Sequence, residues 1–340
     1  MKRSYNPLIP GFVLLLCAGD SHAASFDCGK AKQPAETLIC TVPALSELDS
    51  QLADKYRANL TELSPSAANR LKIGQREWLA YWPRYCADGG AKLNVKAKDV
   101  RTCAEQEYKV RINTLGKQQR ILEGLLVYPV DHYRVMKSTA GVDFAKVAHH
   151  TDSGLAIDID AASPQQRPLA QALNAWLADL PVAANTEGDE ESTNDSESQL
   201  ELGASASSII LSATCSYYWF GHGAAHPLST SGQLHLHLPS RRPLQTSDIF
   251  QGNAWQEGLT RLVEQALKKE LTDNYSVDTL ASLQAMVIQP GLWSFGKDGL
   301  TLQFNPYDVA PYAAGAPSVT IAWSSLQAWL NPAFLDSLKK

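Results

Sequence analysis

Residues 75–86 read QREWLAYWPRYC, and this stretch decides the reading of the first third of the chain. Leu71, Trp78, Trp82 and Tyr85 follow one another at seven-, four- and three-residue steps, which puts them on one side of a helix. Cys86 closes the stretch. Around it stand Cys28 and Cys40, spaced C-x11-C, and Cys103, spaced C-x16-C from Cys86. Working outward, Leu45, Leu48, Leu52, Tyr56 and Leu60 mark a preceding helix opened by Pro43, whose missing N–H costs nothing in a first turn. Pro34-Ala35-Glu36 starts a shorter helix carrying Cys40. Ala104, Tyr108, Ile112 and Leu115 mark a following one, after a break at Asp88-Gly89-Gly90. The pattern predicts an all-α bundle of antiparallel helices stapled by disulfides, with Trp78 and Trp82 in its core.

Four cysteines allow three pairings, and spacing alone does not choose among them. Cys28–Cys40 and Cys86–Cys103 are preferred because each closes a short loop at a helix end, worth roughly 3 kcal/mol in the chain-entropy model. A zinc site would want C-x2-C spacing, which is absent. The compartment agrees. Residues 1–23 combine Lys2 and Arg3, an apolar stretch from Leu8 to Ala18, and Ser21-His22-Ala23 as a small-x-small cleavage site. That stretch holds Pro10 and is too short to span a bilayer, so the expectation is a signal peptide and a periplasmic or secreted mature chain.

Cys28-Gly29-Lys30-Ala31, Glu36 with Ile39-Cys40, Leu48-Asp49, Tyr56, Gln75 to Leu79, Arg84 with Cys86, and Cys103 with Tyr108 and Arg111 together resemble the lysozyme-inhibitor LprI-type domain. The likeness spans about residues 26–116. It implies a secreted helical domain, some of whose relatives inhibit lysozyme, and brings no catalytic residue.

The remainder differs in charge and pattern. Residues 24–124 carry 16 Lys/Arg against 12 Asp/Glu, whereas 125–340 carry 12 against 22. An acidic second half argues against nucleic acid or anionic lipid as ligand and favours a basic partner. The expected division is a domain at 24–124 and a second at 125–340. In the second, residues 155–160 alternate as a half-buried strand, and Pro164 to Leu180 reads as a helix. Ser207 to Trp219 reads as a central strand, and Gln233 to Leu238 as another with His235 and His237 on one face. Ala254 to Leu271 is helical. Lys297-Asp298-Gly299 turns a hairpin, Val319 to Trp323 is a strand, and Ser324 to Leu330 a closing helix. The class is α+β with a mostly antiparallel sheet. Residues 187–201, EGDEESTNDSESQLE, hold seven acids and no base. They read as a mobile loop within an insertion at 181–203, either a plain tether or a lure that speeds encounter with a cationic protein.

Two elements of this half resemble the C-terminal sensor domain of RsiV-type anti-sigma factors, found also beside PdaC-type peptidoglycan deacetylases. One is the aromatic strand Tyr217-Tyr218-Trp219-Phe220 running into Gly221-His222-Gly223-Ala224-Ala225-His226-Pro227. The other is Phe304 to Gly315, with Tyr307 and Tyr312. In the RsiV case the resemblance implies direct binding of lysozyme. The absence of a membrane helix before this domain argues against a signalling role.

Tyr217, Tyr218, Trp219, Phe220, His222, His226, Tyr307 and Tyr312 are therefore the candidate contacts. His222 and His226, four apart, sit in a glycine-containing loop without the glutamate of a zinc-protease helix, so no metal and no cofactor is expected. Cys215 has no nearby cation and reads as a small packed residue. The expected function is binding and inhibition of lysozyme or another basic cell-wall hydrolase by covering its cleft, with peptidoglycan as a further partner. The alternatives are a peptidoglycan-associated enzyme or accessory, or a non-catalytic glycan-binding envelope protein.

Overall fold

The computed structural model describes residues 24–88, 93–139, 146–178 and 191–338. The leader and residues 181–190 of the acidic insertion lie outside them. Four helices come first: α1 (Pro34–Thr41), α2 (Pro43–Glu62), α3 (Pro65–Cys86) and α4 (Lys98–Leu115). Prolines open three of them at the first turn, and Ser64 caps α3. Their core is Leu38, Leu45, Leu71, Trp78, Trp82 and Tyr108, with the Trp78 and Tyr108 rings edge to face at 5.0 Å. Asp49 is buried there and earns its place through two hydrogen bonds. It accepts the Ser25 N–H at 2.7 Å and the Tyr108 hydroxyl at 3.0 Å. The disulfides are Cys28–Cys40 and Cys86–Cys103, the preferred pairing. The second ties the end of α3 to the first turns of α4.

The chain then enters an eight-stranded sheet. Its strands are β1 (Gln119–Ile121), β2 (Leu125–Ser138), β3 (Val147–Ile157), β4 (Glu191–Ser192), β5 (Asn194–Gly203), β6 (Ile210–Gly221), β7 (Leu228–His237) and β8 (Arg242–Pro243). The order is β1-β2-β3-β5-β6-β7-β8, with β4 on the far end of β2. All pairs are antiparallel except β2–β4 and β3–β5. Helix α5 (Arg167–Ala178) buries Leu169, Leu173, Trp176 and Leu177 against the sheet. Helices α6 (Thr246–Ile249), α7 (Ala254–Leu271) and α8 (Leu280–Val287) follow. A three-stranded sheet, β9 (Trp293–Phe295), β10 (Gly299–Gln303) and β11 (Ser318–Ala322), closes with α9 (Trp323–Leu326) and α10 (Pro332–Ser337). Leu259, Val263 and Leu267 of α7 pack with Trp293, Phe304 and Phe334. The molecule is thus a stapled helical domain followed by an α+β domain. Among the described residues no helix is long and apolar enough to cross a membrane.

One expectation is corrected. Most of the acidic run is not a loop: residues 194–203 form β5, between β3 and β6. Ser196, Ser198 and Leu200 are buried, while Glu197, Gln199 and Glu201 are exposed. Strand alternation lets an acidic segment enter a sheet when its inward positions are small or apolar.

The helical domain seals part of the outer edge of β2. β1 covers that edge at 125–127 and β4 at 137–138. Between them lies α3, whose Glu77 accepts the otherwise unpaired N–H of Tyr133 at 3.2 Å. Pro129 has the same parity as Tyr133, so its missing N–H faces this edge and costs no ladder bond. The approach is close. A Cβ on Gly74 would stand 2.9 Å from the Asp131 carbonyl oxygen.

Candidate functional site

The eight sequence candidates separate into three places. His226, Tyr307 and Tyr312 form one cluster. The His226 ring stacks on Tyr312 with centroids 3.8 Å apart, and Tyr307 lies 5.6 Å from Tyr312. His226 Nδ1 faces the Pro227 carbonyl at 3.1 Å, which leaves Nε2 to accept from the Tyr307 hydroxyl at 3.3 Å. The Tyr312 hydroxyl donates to the Pro227 carbonyl at 2.7 Å. Asn305 accepts the Ser231 N–H at 2.7 Å and fastens the turn to β7, while Asp308 accepts the Asn305 N–H. Tyr307 itself has φ 75° and is 58% exposed. A bulky residue in the left-handed region is a strained arrangement, and here it holds an aromatic ring out in water.

Tyr218 and Phe220 point to the face of β6 opposite from Tyr217 and Trp219. Tyr218 is paired in register with Glu197 and is within electrostatic reach of Tyr312. Tyr217 faces the other way, beside Asp152. The Trp219 ring closes over Gly221, where a Cβ would be 2.6 Å from it.

His222 is not part of either group. Its side chain is 2% exposed, with Nδ1 2.6 Å from the Ser138 hydroxyl. Its Nε2 lies 3.2 Å from Asp195 but off the hydrogen-bonding direction. Asp195 also accepts the His149 N–H at 2.9 Å and pairs with His149 Nδ1 at 3.1 Å, and His149 Nε2 is 3.1 Å from Glu197. Burial opposes a charge on His149, but these hydrogen bonds and charges outweigh it and raise its pKa to about 9. The imidazolium in turn holds the partly buried Asp195 below the usual carboxylate range.

The helices complete this side of the sheet. Tyr81 and Tyr85 of α3 stack at 5.3 Å, and Tyr85 meets the His149 ring edge-on at 4.7 Å. Glu107 of α4 lies within electrostatic reach of Tyr85, His149 and Glu197. Burial foremost, opposed by His149 and assisted by Glu197, raises its pKa to about 7. Deeper in the junction Arg111 is fully buried. It donates to Gln75 at 3.0 Å, to Asp131 and to the Tyr133 hydroxyl, while Ser153 donates to Asp131 at 3.0 Å.

The sequence candidates did not include Tyr85, Glu107, His149, Asp195 or Glu197. Reading 194–203 as an alternating strand was the signal that could have put Asp195 and Glu197 on one face with Tyr218. His235 and His237 have separate partners, His237 Nδ1 lying 2.6 Å from the Ser240 hydroxyl. His235 is buried between Ser212 and the Trp293 carbonyl, and burial lowers its pKa to about 4. Among the described residues no three His, Cys, Asp or Glu side chains converge as a metal site. Cys215 lines a cleft of about 410 Å³ with Val130, Leu155, Leu177 and Leu200, and burial pushes its thiol up.

A stapled helical domain is thus docked on an α+β domain, with Tyr81 and Tyr85 of α3 set against the His149 ring of β3. Residues 28–115 match the family model described as Lysozyme inhibitor LprI, and residues 247–324 match the one described as Protein of unknown function (DUF3298). Two solved structures are similar. One is a member of the DUF3298 family from Bacteroides fragilis, at 18% identity over 63% of this chain and 97% of that one, with TM-score 0.46. The other is a DUF3298 family protein from Pseudomonas aeruginosa PAO1, at 18% identity over 62% and 97%, with TM-score 0.42. No curated protein matches the chain significantly.

Proposed function

We propose that this is an exported protein that binds lysozyme, or another basic cell-wall hydrolase, and inhibits it by covering its substrate cleft. The match of residues 28–115 to a lysozyme-inhibitor family carries the reading. Two disulfides support an extracytoplasmic setting. The contact surface is the run from Tyr307, His226 and Tyr312 to Tyr218 and Glu197. Exposed aromatic anchors dominate interface energies, and carboxylates steer a cationic partner. The test mixes the mature chain with c-type lysozyme at low salt and measures both binding and lysis of bacterial cell walls. Micromolar or tighter binding with slowed lysis is expected. Replacing Tyr307 and Tyr312 together by Ala weakens it on the order of tenfold, the worth of about 1.4 kcal/mol. No binding at micromolar concentration removes the reading for that class of lysozyme.

One observation favours a second reading, an envelope enzyme: Ser138, His222 and Asp195 stand in contact as a serine, an imidazole and a carboxylate. Labelling of Ser138 by a fluorophosphonate is its test, and an unlabelled Ser138 retires it.

A further inference from the structure

The cleft of about 410 Å³ that Cys215 lines takes no part in the binding surface described above. It lies on the face of the sheet opposite Tyr218 and Glu197, since Cys215 has the strand parity of Tyr217 and pairs in register with Leu200. Its floor is low because small residues stand beside larger apolar ones. Val130 faces Gly154 across β2 and β3, and Leu200 faces Cys215 across β5 and β6. The end of α5 supplies a wall with Leu177 and Ala178. Asn174 fixes that wall to β3, donating to the Ile157 carbonyl at 2.9 Å and accepting the Ile157 N–H at 2.8 Å. Arg70 of α3, with Asn174 and Ile159, lines both this cleft and a smaller hollow of about 260 Å³ beside it.

His132, Asp152, Asp158 and Asp160 also border the two hollows, and each has its own partner. His132 Nδ1 is 3.3 Å from Glu77. Asp152 accepts the Ser198 hydroxyl at 2.6 Å, and Asp158 accepts the Ser64 N–H and hydroxyl at 2.7 and 2.6 Å. Asp160 accepts the Ser66 hydroxyl. Arg70 differs. It is exposed, hydrogen-bonds the Tyr128 hydroxyl, and makes no ion pair with any described residue. A guanidinium has five N–H donors, so several remain for an acceptor placed at the rim.

We propose that this cleft binds a small amphiphile, a single apolar chain ending in a carboxylate. The chain lies along Val130, Leu177, Leu200 and Cys215, and the carboxylate meets Arg70 at the water's edge. The volume falls within the roughly 300–1,000 Å³ of small-molecule sites, which pair an apolar lining with a few polar groups that orient the ligand. Burial of methylenes drives such binding, and the guanidinium selects the head, since it matches a carboxylate through two parallel N–H bonds.

The experiment uses the full mature chain and dodecanoate below its micellar concentration. Cys215, the free cysteine among the described residues, reports occupancy through its alkylation by N-ethylmaleimide. Dodecanoate is expected to bind at micromolar concentration and to slow that alkylation at least tenfold. Octanoate should bind at least tenfold more weakly, and dodecylammonium should give no protection. Arg70→Gln should weaken dodecanoate binding at least tenfold and leave the unfolding temperature in place, while Arg70→Lys keeps most of the affinity. Chain already alkylated at Cys215 should bind none. A Cys215 that resists N-ethylmaleimide without ligand shows a cleft closed in solution and overturns the proposal. So do dodecanoate binding that leaves Cys215 equally reactive, equal protection by dodecylammonium, and an Arg70→Gln chain with the parent's affinity. None of these outcomes depends on whether the chain binds lysozyme.

Discussion

Two places along the same junction, one helical turn apart on α4, treat charge in opposite ways. At Arg111 the guanidinium and the Asp131 carboxylate are 0% and 1% exposed and are surrounded by Gln75, Tyr133 and Ser153. At Glu107 a carboxylate sits at the mouth with neighbours that repel it or are neutral, apart from a histidine held by others. The first arrangement joins two domains and is closed to any partner. The second, also largely buried, leaves its carboxylate without an ion pair to any described residue, and burial raises its pKa to about 7.

The sharpest way to break this contrast is Arg111→Met. Removing one member of a buried pair strands the other, so a loss of about 3–5 kcal/mol is expected in chemical denaturation. The double variant with Asp131→Leu should recover most of it. A loss below about 1 kcal/mol for the single variant would mean that the inner pair is not what joins the domains.

Gly74→Ala tests how tightly α3 is seated. Helix propensity alone predicts a gain of about 1 kcal/mol. The new Cβ, however, would meet the Asp131 carbonyl oxygen at 2.9 Å, on a strand already paired along its other side. The strand cannot retreat without straining its ladder with β3, nor the helix without parting Glu77 from the Tyr133 N–H, so a net loss of about 1–3 kcal/mol is expected. A gain in stability would show that the seat is loose.

The smallest effect is in pH. Glu107 has a folded value above its ordinary 4.5, so the native state holds an extra proton between there and about 7, and stability falls as pH rises through that window. The His149 cation is stabilising in full below 6.5, and that contribution is lost as pH rises through about 9. Urea titrations at pH 5, 7 and 9 should show stability declining, on the order of 1 kcal/mol for each group after screening. His149→Gln should flatten the upper part alone. Stability that rises from pH 5 to pH 9 would contradict both assignments.

Much of the fold was legible. The helical faces around Trp78, the disulfide pairs, α7 from Ala254 to Leu271 and the turn at Lys297-Asp298-Gly299 stand where local pattern put them, because each is decided by neighbours within a few turns. β2 was missed. It is buried on both faces over residues 125–129 and contains Pro129, so it shows neither alternation nor a clean β composition. β5 was read as a loop because its buried positions include Ser196 and Ser198, which look solvated until a neighbouring strand covers them. Of the candidate contacts, His226, Tyr307 and Tyr312 do meet, while His222 is enclosed.

What the stretch QREWLAYWPRYC determined unaided was a helix, its buried face and a cysteine at its end. Those follow from the 3.6-residue period and from the chemistry of one side chain. That Gln75 of the same stretch accepts from Arg111, that Glu77 closes part of the β-sheet edge, and that Tyr85 leans over His149, was decided only by tertiary structure. Each of these depends on a partner 36 to 64 residues further on. No local pattern records which partner a polar side chain will find once the intervening chain has folded.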